Sequence, residues 1–211
     1  MKRTAPSGIH KFAVSEAKAL LRGEMPEHAS MGEIVRNIWL EVFDKSIDPG
    51  QRKESIEVVK GIFDSISRAD TIKQLPLWHG KEMTNEVLEA TRKKIDPVKH
   101  MIDKDTLIMP VMVSGFIYGA HAYRLARERY GSSRFSLVGY STNRTNSKTP
   151  EWYPNHLWIE KSDVQRIISA KNVLIIDDAI ESGETLSAVS CGIAAMLGGD
   201  MSRVKSFFPS M

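Results

Sequence analysis

The spacing of hydrophobic positions changes near residue 100. Upstream, Ile34, Ile38 and Val42 recur every fourth residue, and Ile56, Val59, Phe63 and Ile66 step by three, four and three. Those intervals keep side chains on one face of a helix. Asp48-Pro49-Gly50 stands between the two patterns, with proline and glycine as breakers. A third helix is predicted from about Thr84 to Lys94, ending before Asp96-Pro97 because a residue ahead of proline disfavours helical dihedrals. With no strand pattern among them, residues 1–100 read as a helical N-terminal region.

Downstream the order becomes strand, helix, strand, strand, helix, strand. Thr106–Val113 is an apolar run suited to a strand covered on both faces; Ser114-Gly115 ends it, and a helix follows to about Tyr130. Phe135–Tyr140 and Asn172–Ile176 are the next strands. Leu186, Val189, Ile193, Met196 and Leu197 form a helical stripe closed by Gly198-Gly199, and Val204–Phe208 is the last strand. Strands alternating with helices predict an α/β domain over residues 101–211, with a parallel sheet and right-handed crossovers. There is no internal repeat and no low-complexity segment.

Composition narrows the setting. The 211 residues are 42% apolar and 26% charged, ordinary for a soluble globular protein. A net charge of +3 without a dense Lys/Arg block permits an anionic ligand but does not indicate nucleic acid. The single cysteine, Cys191, excludes an internal disulfide and a multi-cysteine zinc site, and agrees with a cytoplasmic location. The first residues lead into no apolar run fit for a signal peptide. Nor does any stretch reach the roughly 20 apolar residues of a membrane-spanning helix.

The segment richest in chemistry is Val173-Leu-Ile-Ile-Asp-Asp-Ala-Ile-Glu-Ser-Gly-Glu-Thr-Leu186. A buried strand ends in two adjacent carboxylates, Asp177 and Asp178, and a short loop with Gly183 leads into a helix. In an open α/β sheet the carboxyl ends of the strands form the ligand crevice, and a helix start there favours a phosphate. Ser182 and Thr185 add hydroxyl donors. The two aspartates can accept hydrogen bonds from vicinal hydroxyls, or hold a hydrated Mg²⁺ through water. Phosphate donors beside diol acceptors describe a ribose 5-phosphate site.

This segment resembles the phosphoribosyl pyrophosphate (PRPP) motif of type I phosphoribosyltransferases: four apolar residues, an acidic pair, a short turn, then Gly-x-Thr. It covers, with its flanking strands, roughly Thr106–Phe208. The resemblance implies a Rossmann-like, parallel-sheet phosphoribosyltransferase core behind the N-terminal helical region. It implies that Asp177 and Asp178 contact the ribose hydroxyls and that Glu181, Ser182, Gly183, Glu184 and Thr185 wrap the 5-phosphate. Glu181 occupies the position often assigned to base chemistry, and Ser114-Gly115 the position of the pyrophosphate loop. Ser141–His156 corresponds to a mobile loop that brings Arg144 and Lys148 toward the leaving pyrophosphate.

The implied reaction is Mg²⁺-dependent transfer of the phosphoribosyl group from PRPP to a nitrogenous, nucleobase-like acceptor, with release of pyrophosphate. The chain ends three residues after Phe208, so the expected acceptor site draws on the N-terminal half. Those helices are also candidates for a homodimer or protein-complex contact. The alternative is a regulator or effector subunit of the same fold that binds PRPP or a nucleotide within a complex, as in a bacterial anti-phage system such as a retron. Trp152, Tyr153 and Trp158 read as packing residues, Cys191 as core rather than nucleophile, and the six histidines show no metal-ligand spacing.

Overall fold

A computed structural model describes residues 14–15, 17–19, 21–22, 24, 31–42, 48–69, 85–140, 157–178 and 183–209. The chain divides into two compact units, Met1–Ala90 and Thr91–Met211. In the first, α1 (Met31–Val42) and α2 (Pro49–Arg68) pack together. The predicted stripes are their contact surfaces: Ile34 and Ile38 on α1, and Ile56, Val59, Phe63 and Ile66 on α2, are all buried. Pro49 and Gly50 form the first turn of α2 instead of a linker. Asp48 is the N-cap, its carboxylate accepting from the Gly50 N–H at 2.8 Å, and proline suits a position whose N–H has no helical partner.

Helix α3 (Asn85–Ile95) crosses the division and runs into a 3₁₀ turn, Asp96–His100. The unit boundary therefore falls about ten residues before the change in sequence pattern. Ile95, Val98 and Ile102 pack with Ile108, Ala122, Leu174 and Ile176, which ties the end of α3 and the 3₁₀ turn to the second unit.

The second unit is α/β, with a mostly parallel sheet and helices on both faces, an arrangement compatible with a Rossmann-like fold. Its strands are β1 (Thr106–Met112), β2 (Arg134–Phe135), β3 (Val138–Tyr140), β4 (Leu157–Ile159), β5 (Asn172–Ile176) and β6 (Val204–Phe207). Its further helices are α4 (Phe116–Tyr130), α5 (Lys161–Ile168) and α6 (Glu184–Met196). The order across the sheet is β4-β3-β1-β5-β6, and β2 also pairs with β1.

Strands β1 and β5 run side by side in parallel, with Leu107 opposite Val173 and Pro110 opposite Ile176. Successive side chains of a strand point to opposite faces. Leu107, Met109, Val111, Val173 and Ile175 accordingly pack with Ile167 and Ala170 at the end of α5 and with Leu186, Val189 and Ile193 of α6. Ile108, Leu174 and Ile176 pack with Ala122 and Ala126 of α4. Every residue of β1 is buried, as its unbroken apolar run requires.

The sheet departs from the sequence reading in three respects. It is mixed, because β4 runs antiparallel to β3, with Tyr140 opposite Leu157 and Val138 opposite Ile159. At three and eight residues, β4 and α5 are too short to show a period and were not predicted. The expected strand Phe135–Tyr140 is interrupted. Both β2 and β3 pair with β1 in one register, Ile108 opposite Phe135 and Val111 opposite Val138, so the gap falls at Met109–Pro110. Ser136 N–H donates to the Ile108 carbonyl at 3.0 Å. The next rung would need an N–H at position 110, and proline has none. Separately, the Ser136 hydroxyl donates to Asp163 Oδ2 at 2.8 Å, and Arg166 donates to Asp163 Oδ1 at 2.7 Å, which ties the first turn of α5 to this junction.

Outside the sheet, Cys191 differs from the core position expected for it: it is exposed. The α6 stripe through Leu186, Val189, Ile193 and Leu197 is buried as expected, and position 191 lies off that stripe. Trp158 is buried within β4, in agreement with a packing role. No helix among the described residues is long and apolar enough to cross a membrane.

One buried ionisable group has a measurable consequence. His121 on α4 is 1% exposed, and neither ring nitrogen has a hydrogen-bond partner among the described residues. Burial, then the positive charges of Arg92 and Arg124, push its pKa down to about 3. The unfolded chain, with an ordinary histidine, takes up the proton first as pH falls. The contribution of neutral His121 is thus fully present above about pH 6.5 and is lost toward pH 3. We expect His121→Leu to lose about 2–3 kcal/mol less stability than the parent between pH 7.0 and pH 4.5, measured by urea unfolding at both values. Equal losses in the two proteins would mean that His121 titrates normally when folded.

Candidate functional site

Strand β1 lies at the point where the connections diverge: the chain leaves it toward β3 on one side, and β5 on its other side leads on to β6. At such a switch point the loops after adjacent strands separate and leave a crevice at their carboxyl ends. The residues that end β1 and β5 are Ser114-Gly115 and Asp177-Asp178. The structure brings these four sequence-predicted residues together.

Gly115 sets their spacing. A Cβ on this residue would lie 2.1 Å from the Ile176 carbonyl oxygen and 3.0 Å from the Asp177 Cα. Only a glycine lets the β1 loop lie against the end of β5 this closely. The turn is held by Gly115 N–H to the Val111 carbonyl at 2.8 Å, and α4 starts directly after it, with Gly119 N–H on the Gly115 carbonyl at 2.8 Å. The Met112–Val113 peptide just before this turn is cis.

Across that contact the Ser114 hydroxyl donates to Asp177 Oδ1. The same oxygen accepts the Asp178 N–H at 2.9 Å, and Asp177 N–H donates to the Phe207 carbonyl at 3.1 Å. Asp177 is 4% exposed. Burial raises its carboxyl above the usual carboxylate range; the Ser114 hydroxyl and Asp178 N–H oppose that rise, and the neighbouring Asp178 carboxylate adds to it. Asp178 is partly exposed. The two adjacent acids are therefore unlike: one is clamped and nearly out of water, the other is partly exposed.

Gly183 lies at the start of α6 and is its N-cap, with φ of 73°. That left-handed conformation favours glycine. Glu184 and Thr185 form the first helical turn, where the positive end of the helix dipole favours an anion. Glu181, Ser182, Arg144 and Lys148 lie outside the described residues, as do Trp152 and Tyr153.

Two tyrosines flank the crevice. Tyr118, in the first turn of α4, packs partly buried against the cluster containing Ile176; burial and then the Asp178 charge raise its phenol pKa. Tyr140, the last residue of β3, packs against the α6-side cluster, and burial and then the Glu184 charge raise it likewise. The sequence reading passed over Tyr118. Its one signal is its place, three residues after the glycine that ends β1.

The acidic pair suits Mg²⁺ in one mode. This ion keeps several waters and is usually held by one or two carboxylates together with substrate oxygens. Among the described residues no group of three or more His, Cys, Asp or Glu side chains is placed to hold a metal. Two adjacent carboxylates are the donor set that such a hydrated ion takes.

The contact at Gly115 is testable by stability. Gly115→Ala should cost about 3 kcal/mol or more in urea unfolding, because the obstacle is backbone. Gly131→Ala is the control: its φ is 73° with nothing within 4 Å of an added Cβ, and it should cost only about 1–2 kcal/mol. Similar costs for the two would mean that the β1 and β5 ends are not in this contact.

No protein-family model matches the chain, and neither a curated protein nor a solved structure matches it.

Proposed function

We propose that the β1–β5 crevice binds PRPP and that the chain is a type I phosphoribosyltransferase, transferring the 5-phosphoribosyl group to a nitrogenous, nucleobase-like acceptor. The observation that carries this reading is the acidic pair at the carboxyl end of central strand β5, a clamped Asp177 beside a partly exposed Asp178, followed by the Gly183 turn and the start of α6. Diol acceptors and an anion-favouring helix start lie within seven residues along one chain segment.

On this reading Asp177 keeps Oδ1 on Ser114 and the Asp178 N–H, which leaves Oδ2 to accept one ribose hydroxyl. Asp178 accepts the other. Glu181, Ser182, Gly183, Glu184 and Thr185 wrap the 5-phosphate through backbone N–H groups and hydroxyls. Ser114 and Gly115 border the pyrophosphate, and Arg144 and Lys148 bring positive charge to it. Glu181 occupies the motif position assigned to base chemistry at the acceptor. Mg²⁺, held through water by Asp177 and Asp178, supplies charge compensation at the pyrophosphate when bound.

The bond from C1 to the pyrophosphate oxygen breaks, a C1–N bond forms, and the proton of the acceptor nitrogen passes to the departing pyrophosphate or to water. The transition state is oxocarbenium-like with little bonding to either partner, so the residues serve chiefly by placement and charge. A second reading is a binding subunit of the same fold. Val113-Ser114-Gly115 carries no basic side chain, and the Ser114 hydroxyl is already committed to Asp177, which leaves this loop poor in donors for a leaving pyrophosphate.

Calorimetry with PRPP and Mg²⁺, paired with pyrophosphate release against a panel of purine, pyrimidine and pyridine bases, separates the readings. We expect micromolar binding that Asp178→Asn weakens about 10- to 100-fold, the range for hydrogen bonds to a charged group. Base-dependent release lost in the variant establishes the transferase. Binding without release from any base favours the subunit, and absence of binding contradicts the site.

A further inference from the structure

Asp178 has a neighbour whose chemistry complements it. Along β5, Leu174 and Ile176 face α4, and Asp178 follows two residues beyond the end of the strand. Tyr118 packs on that α4-side cluster. It is in the first turn of the helix that begins directly after Gly115, and Gly115 is fixed against Ile176 and Asp177 by the space available. Its ring packs on the cluster that contains Ile176, and it is close enough to Asp178 to feel that carboxylate's charge. The residue is only partly buried.

A carboxylate only accepts hydrogen bonds, whereas a sugar hydroxyl both donates and accepts. A hydroxyl bound to Asp178 alone has its proton used and its lone pairs unmet. A tyrosine hydroxyl, protonated at neutral pH, is the donor that completes it. We propose that Tyr118 is a positioning residue that donates a hydrogen bond to the sugar hydroxyl accepted by Asp178, making the crevice selective for a ribose over the deoxy sugar lacking that hydroxyl. This inference rests on the ribose 5-phosphate reading above and assigns that site a further residue.

The test is calorimetry with ribose 5-phosphate, 2-deoxyribose 5-phosphate and 3-deoxyribose 5-phosphate, on the parent and Tyr118→Phe. Phenylalanine keeps the ring that packs on the Ile176 cluster, and thermal melts verify that the fold is retained. We expect Tyr118→Phe to weaken ribose 5-phosphate about five- to tenfold. That loss should vanish for one of the two deoxy sugars, the one without the shared hydroxyl, and persist for the other. A loss equal for all three sugars would make Tyr118 a packing residue and overturn the proposal, as would no loss for any. If the parent binds none of the three, the ribose 5-phosphate reading fails and this assignment fails with it. If the parent binds and only Tyr118→Phe is silent, the Tyr118 assignment alone falls.

Discussion

The closeness of two backbones at the carboxyl ends of β1 and β5 governs the second unit. Gly115 lies so near the Ile176 carbonyl that no other side chain fits. This approach lets the Ser114 hydroxyl reach Asp177, and it fixes where α4 begins, hence where Tyr118 stands. Each of these features would move if the two strand ends separated by an ångström. The contact is thus a constraint on the site as much as on the fold.

What holds the strand ends at that distance is the core on either side of them. Odd-numbered positions of β1 and β5 pack toward α5 and α6, and even-numbered ones toward α4. With both faces filled, a one-residue slip would drive every side chain of the strand into the opposite core, whose packing it does not match. The opposite end is fastened by Asp103, whose carboxylate accepts from Thr106 at the start of β1 and from Asn172 at the start of β5, at 2.9 and 2.6 Å. Burial tends to raise the Asp103 pKa, but these hydrogen bonds outweigh it and hold the group in its charged form. The pair is anchored by a carboxylate at one end and ends in a clamped one, Asp177, at the other. Asp177 is costly to bury, and the Ser114 hydroxyl and Asp178 N–H offset part of that cost.

The central elements were legible in the sequence because their burial is uniform and their ends are punctuated. Thr106–Met112 and Asn172–Ile176 are continuous apolar runs, and α6 shows a clean stripe closed by Gly198, whose φ is 76°. The crevice residues Ser114, Gly115, Asp177 and Asp178 followed from those boundaries. What was not legible depends on contacts between segments. The gap between β2 and β3 is set by Pro110 on a neighbouring strand, and nothing within residues 134–140 announces it. Antiparallel β4 is three residues long and is defined by its partner β3. The reason for Gly115 is likewise hidden: as a sequence it reads as a turn residue, and only the approach of Ile176 shows why no other residue fits. Tyr118 has no motif of its own and gains meaning from Asp178, sixty residues away.

The central claim is that the acidic pair of β5 and the start of α6 hold the two ends of one ribose 5-phosphate unit. A crystal structure of the protein soaked with PRPP and Mg²⁺ tests it most directly. The account predicts density with the ribose hydroxyls on Asp177 and Asp178 and the 5-phosphate against Gly183, Glu184 and Thr185. A phosphate bound elsewhere, or a sugar that leaves Asp177 and Asp178 untouched, would contradict it.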